Sequence, residues 1–332
     1  MSLVILNDVH IGAIRSGGTT PSTALALRRK LLDDFEKLLP VGKDLMLLGD
    51  LFDKANIPLT DVLETYKILC KWLEANPDNW LYNVAGNHDL SGSSNVLSSF
   101  QFLGALLKHS YPDRYMHIEE PSFTPHGYVI PHLRNQDLFD LALEQAPANR
   151  VLFVHANFES PFAQHSDQSL NFTYKQVQKA KLVLCAHEHQ ARSYKNVEIP
   201  GNQIASSVSD WLGAKTKRFL TLDETGFYYT DCVRSEDEFI VQDWKALEET
   251  EHAFVRVEGL ASAEQASEVV NAINRFRKKS QALVITNAVK IESDGITVDF
   301  ESTLEKVQGF NVMKALRSFL NAEEMNIIES LK

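Results

Sequence analysis

Cysteine is scarce in this chain of 332 residues: Cys70, Cys185 and Cys232 are scattered, odd in number and form no Cys-x-x-Cys pair. That excludes a disulfide framework and points to reduced thiols in a cytoplasmic setting. Long apolar runs are missing too. No stretch approaches the roughly 18 residues that a membrane span requires. Asp8 and His10 interrupt the opening apolar run, so neither a signal peptide nor a membrane partner is expected. Positive charge is short, with 33 Lys and Arg against 44 Asp and Glu and a net charge of −11. Such a balance argues against a protein that coats nucleic acid without specificity. It leaves open an enzyme whose bound cations supply positive charge locally. The deficit is uneven, because residues 236–332 carry 18 acidic and 11 basic residues. Internal repeats and low-complexity segments are absent as well, which excludes repeat architectures and leaves one large domain or two.

What is present is a recurring pattern. Hydrophobic residues make up 44% of the chain, enough for a sizeable core. Five short apolar runs read as buried parallel strands, and each ends in side chains able to bind a metal or move a proton. Residues 2–6 run into Asn7-Asp8-Val9-His10, and residues 44–48 into Gly49-Asp50. Residues 81–85 run into Gly86-Asn87-His88-Asp89, residues 151–154 into His155, and residues 182–186 into His187-Glu188-His189. Between the first three, Leu25, Leu31, Leu32, Phe35, Leu38 and Leu39 recur at helical spacing, as do Leu59, Val62, Leu63, Tyr66, Leu69, Cys70 and Leu73. This alternation implies an α/β protein with a mostly parallel sheet built from right-handed crossovers. Ligands gather at the carboxyl edge of such sheets.

The residue types at that edge define a chemistry. Asp8 and His10, two apart at a strand end, point the same way, and His187 and His189 repeat the spacing. Asp50 is suited to bridge two cations because a carboxylate has two oxygens. Asp53, three residues on, is expected to support the ligands from behind. One such strand end would be an ordinary polar turn; five in order are not. Mixed His, Asp and amide-oxygen donors favour manganese, iron or zinc over magnesium or calcium. Two such cations clamp a phosphoryl group and activate a water. His88 follows Asn87 but points elsewhere, where it is free to protonate a leaving alkoxide or hydrogen-bond a phosphorane. His126 and His132 read as surface or structural histidines. His165 lies in a polar stretch, residues 157–171, that reads as a flap.

The set Asp8-Val9-His10, Gly49-Asp50-Leu51-Phe52-Asp53, Gly86-Asn87-His88-Asp89, the later His155 and Ala186-His187-Glu188-His189 resembles the calcineurin-like metallophosphoesterases over residues 1–230. The resemblance implies a sandwich of mixed β-sheets flanked by helices. By matching motif, it implies that Asp8, His10, Asp50 and His189 hold one divalent cation. Asp50, Asn87, His155 and His187 would hold the second, manganese by preference, and His88 would be the catalytic histidine. Ala186 departs from the family's usual Gly, and one added methyl is expected to cost only a small backbone adjustment. Within the family, residues 49–60 (GDLFDKANIPLT), residues 197–210 (VEIPGNQIASSVSD) before residues 218–223 (RFLTLD), which are like late core strands, and an α+β module at 253–291 resemble the SbcD-type nuclease subunits. By their own pattern, residues 197–199, 218–222 and 226–230 read as short strands with a turn at Pro200-Gly201. Lys54-Ala55 departs from the Arg-Gly of the serine/threonine phosphatases.

That closer resemblance implies a 3′-to-5′ exonuclease and single-strand endonuclease acting on DNA in repair and recombination. It also implies an SbcC-like ATPase partner and a homodimer. The chain is short for that group and fits a compact, phage-type version. A small-molecule phosphodiesterase or phosphatase is the alternative. A non-catalytic scaffold recruiting an ATPase is the alternative of another class, against which the full ligand set and His88 weigh.

Composition shifts past Cys232, dividing the chain into a catalytic domain (1–235), a small α+β capping domain (236–300) and carboxyl-terminal helices (301–332). In the second, residues 253–257, 283–286 and 289–291 read as strands. Ser262-Ala263-Glu264-Gln265 reads as a capping box opening a helix with Val269, Val270, Ile273 and Phe276 on its packed face. Arg275, Arg277, Lys278 and Lys279 form the clearest basic cluster and read as a solvated helix end. Residues 304–331 read as one or two amphipathic helices, available to the ATPase partner or to the chain's own core.

Overall fold

Successive side chains of a strand point to opposite faces, so a run that is apolar throughout must be covered on both sides. The computed structural model describes residues 2–15, 21–92, 96–160, 170–293 and 296–299. In it, β1 (Leu3–Leu6), α1 (Pro21–Leu38), β2 (Asp44–Leu48), α2 (Leu59–Ala75), β3 (Leu81–Val84), α3 (Ser99–Ser110) and β4 (Tyr115–Ile118) alternate as the periodicity predicts. Then come β5 (Ser122–Thr124), β6 (Gly127–Ile130), α4 (Gln136–Gln145), β7 (Val151–His155), β8 (Asn157–Phe158) and β9 (Asn171–Phe172). α5 (Tyr174–Val177), β10 (Leu182–Ala186), β11 (Arg192–Tyr194), β12 (Val197–Ile199), β13 (Thr216–Asp223) and β14 (Gly226–Arg234) follow.

Two six-stranded sheets form where the alternation implied one. Their orders are β14-β13-β1-β2-β3-β4 and β11-β12-β10-β7-β6-β5. β1 through β4 are parallel, and β13 and β14 join antiparallel at the β1 edge. In the second sheet β6, β7, β10 and β12 are parallel, with β5 and β11 antiparallel at the edges. The strands that end in His155 and His187 therefore belong to a different sheet from those that end in Asp8, Asp50 and Asn87. A strand's own pattern shows that both its faces are buried, not which neighbours bury them.

The two-residue period sorts each strand into layers. Leu3, Ile5, Met46, Leu48, Tyr82 and Val84 face inward and pack against Phe153, Leu182, Leu184 and Ala186 of the other sheet. Val4, Leu6, Leu45, Leu47 and Leu81 face outward onto Leu27, Leu31, Phe35, Leu69, Leu73, Phe100 and Leu103 of α1 to α3. Leu152, Val154, Val183 and Cys185 likewise pack on Phe139, Leu143 and Val177 of α4 and α5. The result is a four-layer sandwich with helices outside both mixed sheets. The short strands read at 197–199, 218–222 and 226–230 are β12, β13 and β14, and between β12 and β13 the chain is irregular apart from one 3₁₀ turn at Ser209–Trp211.

α6 (Ser235–Glu238) and β15 (Phe239–Asp243) lead out of this unit, which runs to Ile240 and also takes in residues 252–254 and 282–284. A second compact unit comprises residues 241–251, 255–281 and the described residues of 285–299. Its elements are β16 (Phe254–Glu258) and β18 (Val284–Asn287), each beyond its first residue, with β17 (Leu260–Ser262), α7 (Ala266–Lys279), β19 (Lys290–Ser293) and β20 (Ile296–Asp299). A 3₁₀ turn precedes α7, and Gln265 Oε1 accepts a hydrogen bond from Ser262 N at 3.1 Å. Val269, Ile273 and Phe276 are buried, but Val270 is 49% exposed, since a position one residue on from Val269 turns about 100° off the packed face. The helices expected over 304–331, His165 and most of the flap over 157–171 lie outside the described residues.

Candidate metal centre

The carboxyl ends of β1, β2 and β3 and those of β7 and β10 meet at one edge of the sandwich, and the chain must leave its strands abruptly there. Four side chains of the expected set sit on left-handed backbone: Asp8 (φ 51°), His10 (φ 53°), Asp50 (φ 49°) and His187 (φ 92°). Left-handed conformation costs a non-glycine residue free energy, and such residues persist only where surroundings hold them. Pairing beyond the strand ends supplies the hold: Asp8 N donates to Gly49 O, His10 N to Asp50 O, and Ile11 N to Leu51 O. Asp8 and His10 thus reach one place through two left-handed kinks rather than through simple strand alternation.

All seven expected ligand residues are brought together. Ligand atoms of Asp8, His10 and His189 lie within 4.8 Å of one another, and so do those of Asp50, His155 and His187. Asp50 also groups with His10 and His88, which places its carboxylate between the two sets. Asn87 Oδ1 stands 3.1 Å from His155 Nε2 and 2.9 Å from His187 Nδ1. His10 Nε2 and His189 Nε2 face each other at 3.0 Å. His189 Nδ1 donates to Asp210 Oδ1 at 2.7 Å, leaving its Nε2 as a lone pair toward His10. Among the described residues, the buried Asp8 Oδ1 has no hydrogen-bond partner. Convergent imidazole nitrogens, an unsatisfied carboxylate oxygen and a carboxylate set between the two clusters are a donor set that fits divalent cations.

Electrostatics agree with the crowding. Burial pushes His10 down to about 4, with His189 and His88 adding to the effect against Asp50. Burial and the neighbouring His155 push His187 down to about 4. Burial opposes charging of His155 too, but Asp50 beside it, with Oδ2 at 3.4 Å, raises it to about 9. Burial resists ionisation of Asp50, yet His155 and His10 hold its carboxyl well below the usual carboxylate range.

His88 is exposed. Its backbone N donates to Asp50 Oδ1 at 2.9 Å, and its ring Nδ1 donates to Asp53 O at 2.7 Å. Because a carbonyl only accepts, Nδ1 carries a proton and Nε2 is left for another partner. Asp53 is buried, with Oδ1 2.9 Å from Arg15 Nη1 and 3.6 Å from His10 Nδ1.

Three supporting groups were not readable as such. Asp89 is fully buried and accepts from the amides of Gly86, Leu51 and Phe52, tying the β3 end to the β2 end. Burial, with the charge of Asp50, raises it to about 7. Asp210, from the 3₁₀ turn, accepts from Ser206 N and Ser207 N at 2.8 and 2.9 Å while holding His189. Gln203 and Asn7 exchange hydrogen bonds, Gln203 Oε1 taking the Asn7 amide at 2.7 Å. Asp89 has a signal, its adjacency to His88. Asp210 and Gln203 have none, because their partners lie far away in sequence. His126 is structural, its Nε2 2.7 Å from Asp44 Oδ2 at the opposite ends of the strands. His132 is buried, and Ala85 O accepts its backbone amide.

A model of the calcineurin-like phosphoesterase family matches residues 1–191. No curated protein matches the chain significantly. Among solved structures, 65 chains match. One of them, described as a novel archaeal phosphodiesterase, shares 12% identity over 70% of this chain and 100% of its own, with a TM-score of 0.32.

Proposed function

Because the chain belongs to the calcineurin-like phosphoesterase family and is a metal-dependent phosphoesterase, we propose that it hydrolyses phosphodiester bonds of DNA as a two-metal nuclease. In this reading Asp8, His10, Asp50 and His189 hold one cation, and Asp50, Asn87, His155 and His187 the other, manganese by preference. The observation that carries the reading is the placement of Asp50 between two clusters of convergent imidazoles beside an exposed His88. Two divalent cations held by these residues would supply a water of lowered pKa and neutralise charge on the phosphoryl group.

The chain's own residues do the rest. Asn87 Oδ1 meets both His155 and His187 and sets the spacing between the sheets' contributions. Asp53 O fixes the His88 ring through Nδ1, so that Nε2, protonated in the imidazolium form, is the nitrogen that would give its proton to the departing oxygen. Asp210 fixes the tautomer of His189. An SbcC-like ATPase partner and a homodimer belong to the same reading, on the strength of residues 49–60 and the second unit.

The test is manganese-dependent hydrolysis of linear single- and double-stranded DNA beside bis-p-nitrophenyl phosphate, with His88→Ala as control. DNA degradation should fall by about 10²- to 10⁴-fold in the variant, with manganese binding retained. Turnover of the small ester alone would replace the nuclease with a small-molecule phosphodiesterase. No turnover of either, with two cations bound, would favour a scaffold.

A further inference from the structure

We propose that the exposed edge of the second sheet, formed by β11, the turn after it and α5, is a track for single-stranded DNA leading away from the metal centre. The inference rests on the reading of that centre as a DNA phosphodiesterase and names the surface through which the strand would be held.

The chain carries −11 overall, yet residues 173–196 hold Lys175, Lys179, Lys181, Arg192 and Lys195 against a single acid, Glu188. All five cations are exposed. Arg150, also exposed, adjoins them, because its carbonyl accepts the Lys181 amide at 2.9 Å. Among the described residues, the ammonium groups of Lys175, Lys179, Lys181 and Lys195 have no carboxylate partner. Aromatic rings are interleaved with this charge. Lys195 Nζ lies 3.9 Å from the Tyr174 ring centroid and 5.1 Å from that of Tyr194. Tyr194 is 44% exposed, and its ring stands edge-on to Tyr174 with centroids 5.5 Å apart. The Arg192 guanidinium sits 5.2 Å over Phe158.

The patch is physically joined to the metal centre. Glu188, between His187 and His189, takes Arg192 on both oxygens and also accepts from Phe158 N at 2.8 Å. β11 then runs antiparallel to β12, Arg192 beside Ile199 and Tyr194 beside Val197, while Val197 pairs with Val183 of β10. The stripe therefore descends from the histidine end of β10 toward its start, where Lys181 stands. The other acids nearby are taken up by neutral donors: Glu159 accepts from Tyr174 N at 3.1 Å, Glu198 from Ser193 Oγ at 2.6 Å and Asp140 from Gln176 Nε2 at 2.9 Å. Cations track the phosphates of a single strand, and exposed rings stack its bases without regard to sequence.

The test measures anisotropy of a fluorescein-labelled oligothymidylate with the full chain in EDTA, so that the strand is bound but not cut. Tyr194→Ala with Lys195→Asn should weaken binding about tenfold or more. Asn suits the left-handed φ of 56° at Lys195. The dependence of affinity on salt should flatten by about 0.7 in slope for the lysine removed, and Tyr194→Trp should retain affinity. Manganese-dependent turnover of bis-p-nitrophenyl phosphate should be unchanged in every variant. Oligothymidylate binding that is absent, or unaltered in the double variant, would overturn the track; the lysines would then merely keep an edge strand from pairing with other chains. Binding that depends on the patch, with two cations held but neither ester hydrolysed, would instead overturn the hydrolase reading and leave the track standing.

Discussion

At the residue scale, the centre depends on groups held where they would not go by themselves. His189 is useful to a cation only if Nε2 is its lone pair, and Asp210 enforces this by accepting from Nδ1 at 2.7 Å. The buried Asp210 is itself held by two backbone amides, and His189 keeps it below the usual carboxylate range against the cost of burial. Asp210→Asn keeps the shape but removes the charge and permits the other tautomer. Manganese affinity should fall by about 10- to 100-fold, measured by calorimetry, while thermal unfolding of the metal-free protein changes far less. Unchanged affinity would mean that the bond only anchors the turn.

At the element scale, the strand ends are packed so closely that side chains of one loop occupy the space a Cβ on another would need. A Cβ on Gly86 would lie 2.2 Å from Asp50 N and Asp50 Oδ1, and one on Gly49, already at φ 83°, would lie 2.0 Å from His155 Nδ1. These glycines let the loops after β2 and β3 close on the same carboxylate and imidazole. Gly86→Ala should destabilise the protein by about 1–3 kcal/mol through overpacking, read from denaturant unfolding. It should also displace Asp50 enough to lose at least one cation from the bound stoichiometry.

At the scale of the whole molecule, the edge where the sheets meet concentrates histidines whose shifts set the stability of the metal-free chain. Burial depresses His10 and His187 to about 4 and His132 to about 3. As pH falls below about 6.5 the unfolded chain protonates these three and the folded chain does not, so stability drops toward pH 4. Asp89, raised to about 7 by burial, opposes part of that slope. His155 works the other way. Its folded value of about 9 exceeds the unfolded one, so its contribution is whole below about 6.5 and lost as pH rises through 9. The melting temperature in EDTA should therefore peak near neutrality, declining on the acid side and, on the alkaline side, up to about pH 8, above which Lys217, lowered to about 8 by burial, offsets the His155 loss. Manganese should remove the alkaline decline, because a cation takes the place of the His155 proton. A flat profile in EDTA would contradict this electrostatic picture.

Much of this was present in the amino-acid order. Apolar runs ending in Asp, Asn and His located five strands and the seven donor side chains that the structure gathers at one edge, since strand burial and donor chemistry are local properties of adjacent residues. His88 stood out through its neighbour Asn87, and α1 and α2 followed from their 3.6-residue period. The family resemblance implied a sandwich of sheets, but only the tertiary structure decided which strand joins which sheet, because a run buried on both faces does not name its neighbours. It decided that Asp8, His10, Asp50 and His187 take left-handed backbone, which their own propensities disfavour and only cross-loop hydrogen bonds sustain. It also brought Asp210 to His189 and gathered lysines and tyrosines on one sheet edge. Contacts of that kind join residues whose separation along the chain carries no signal.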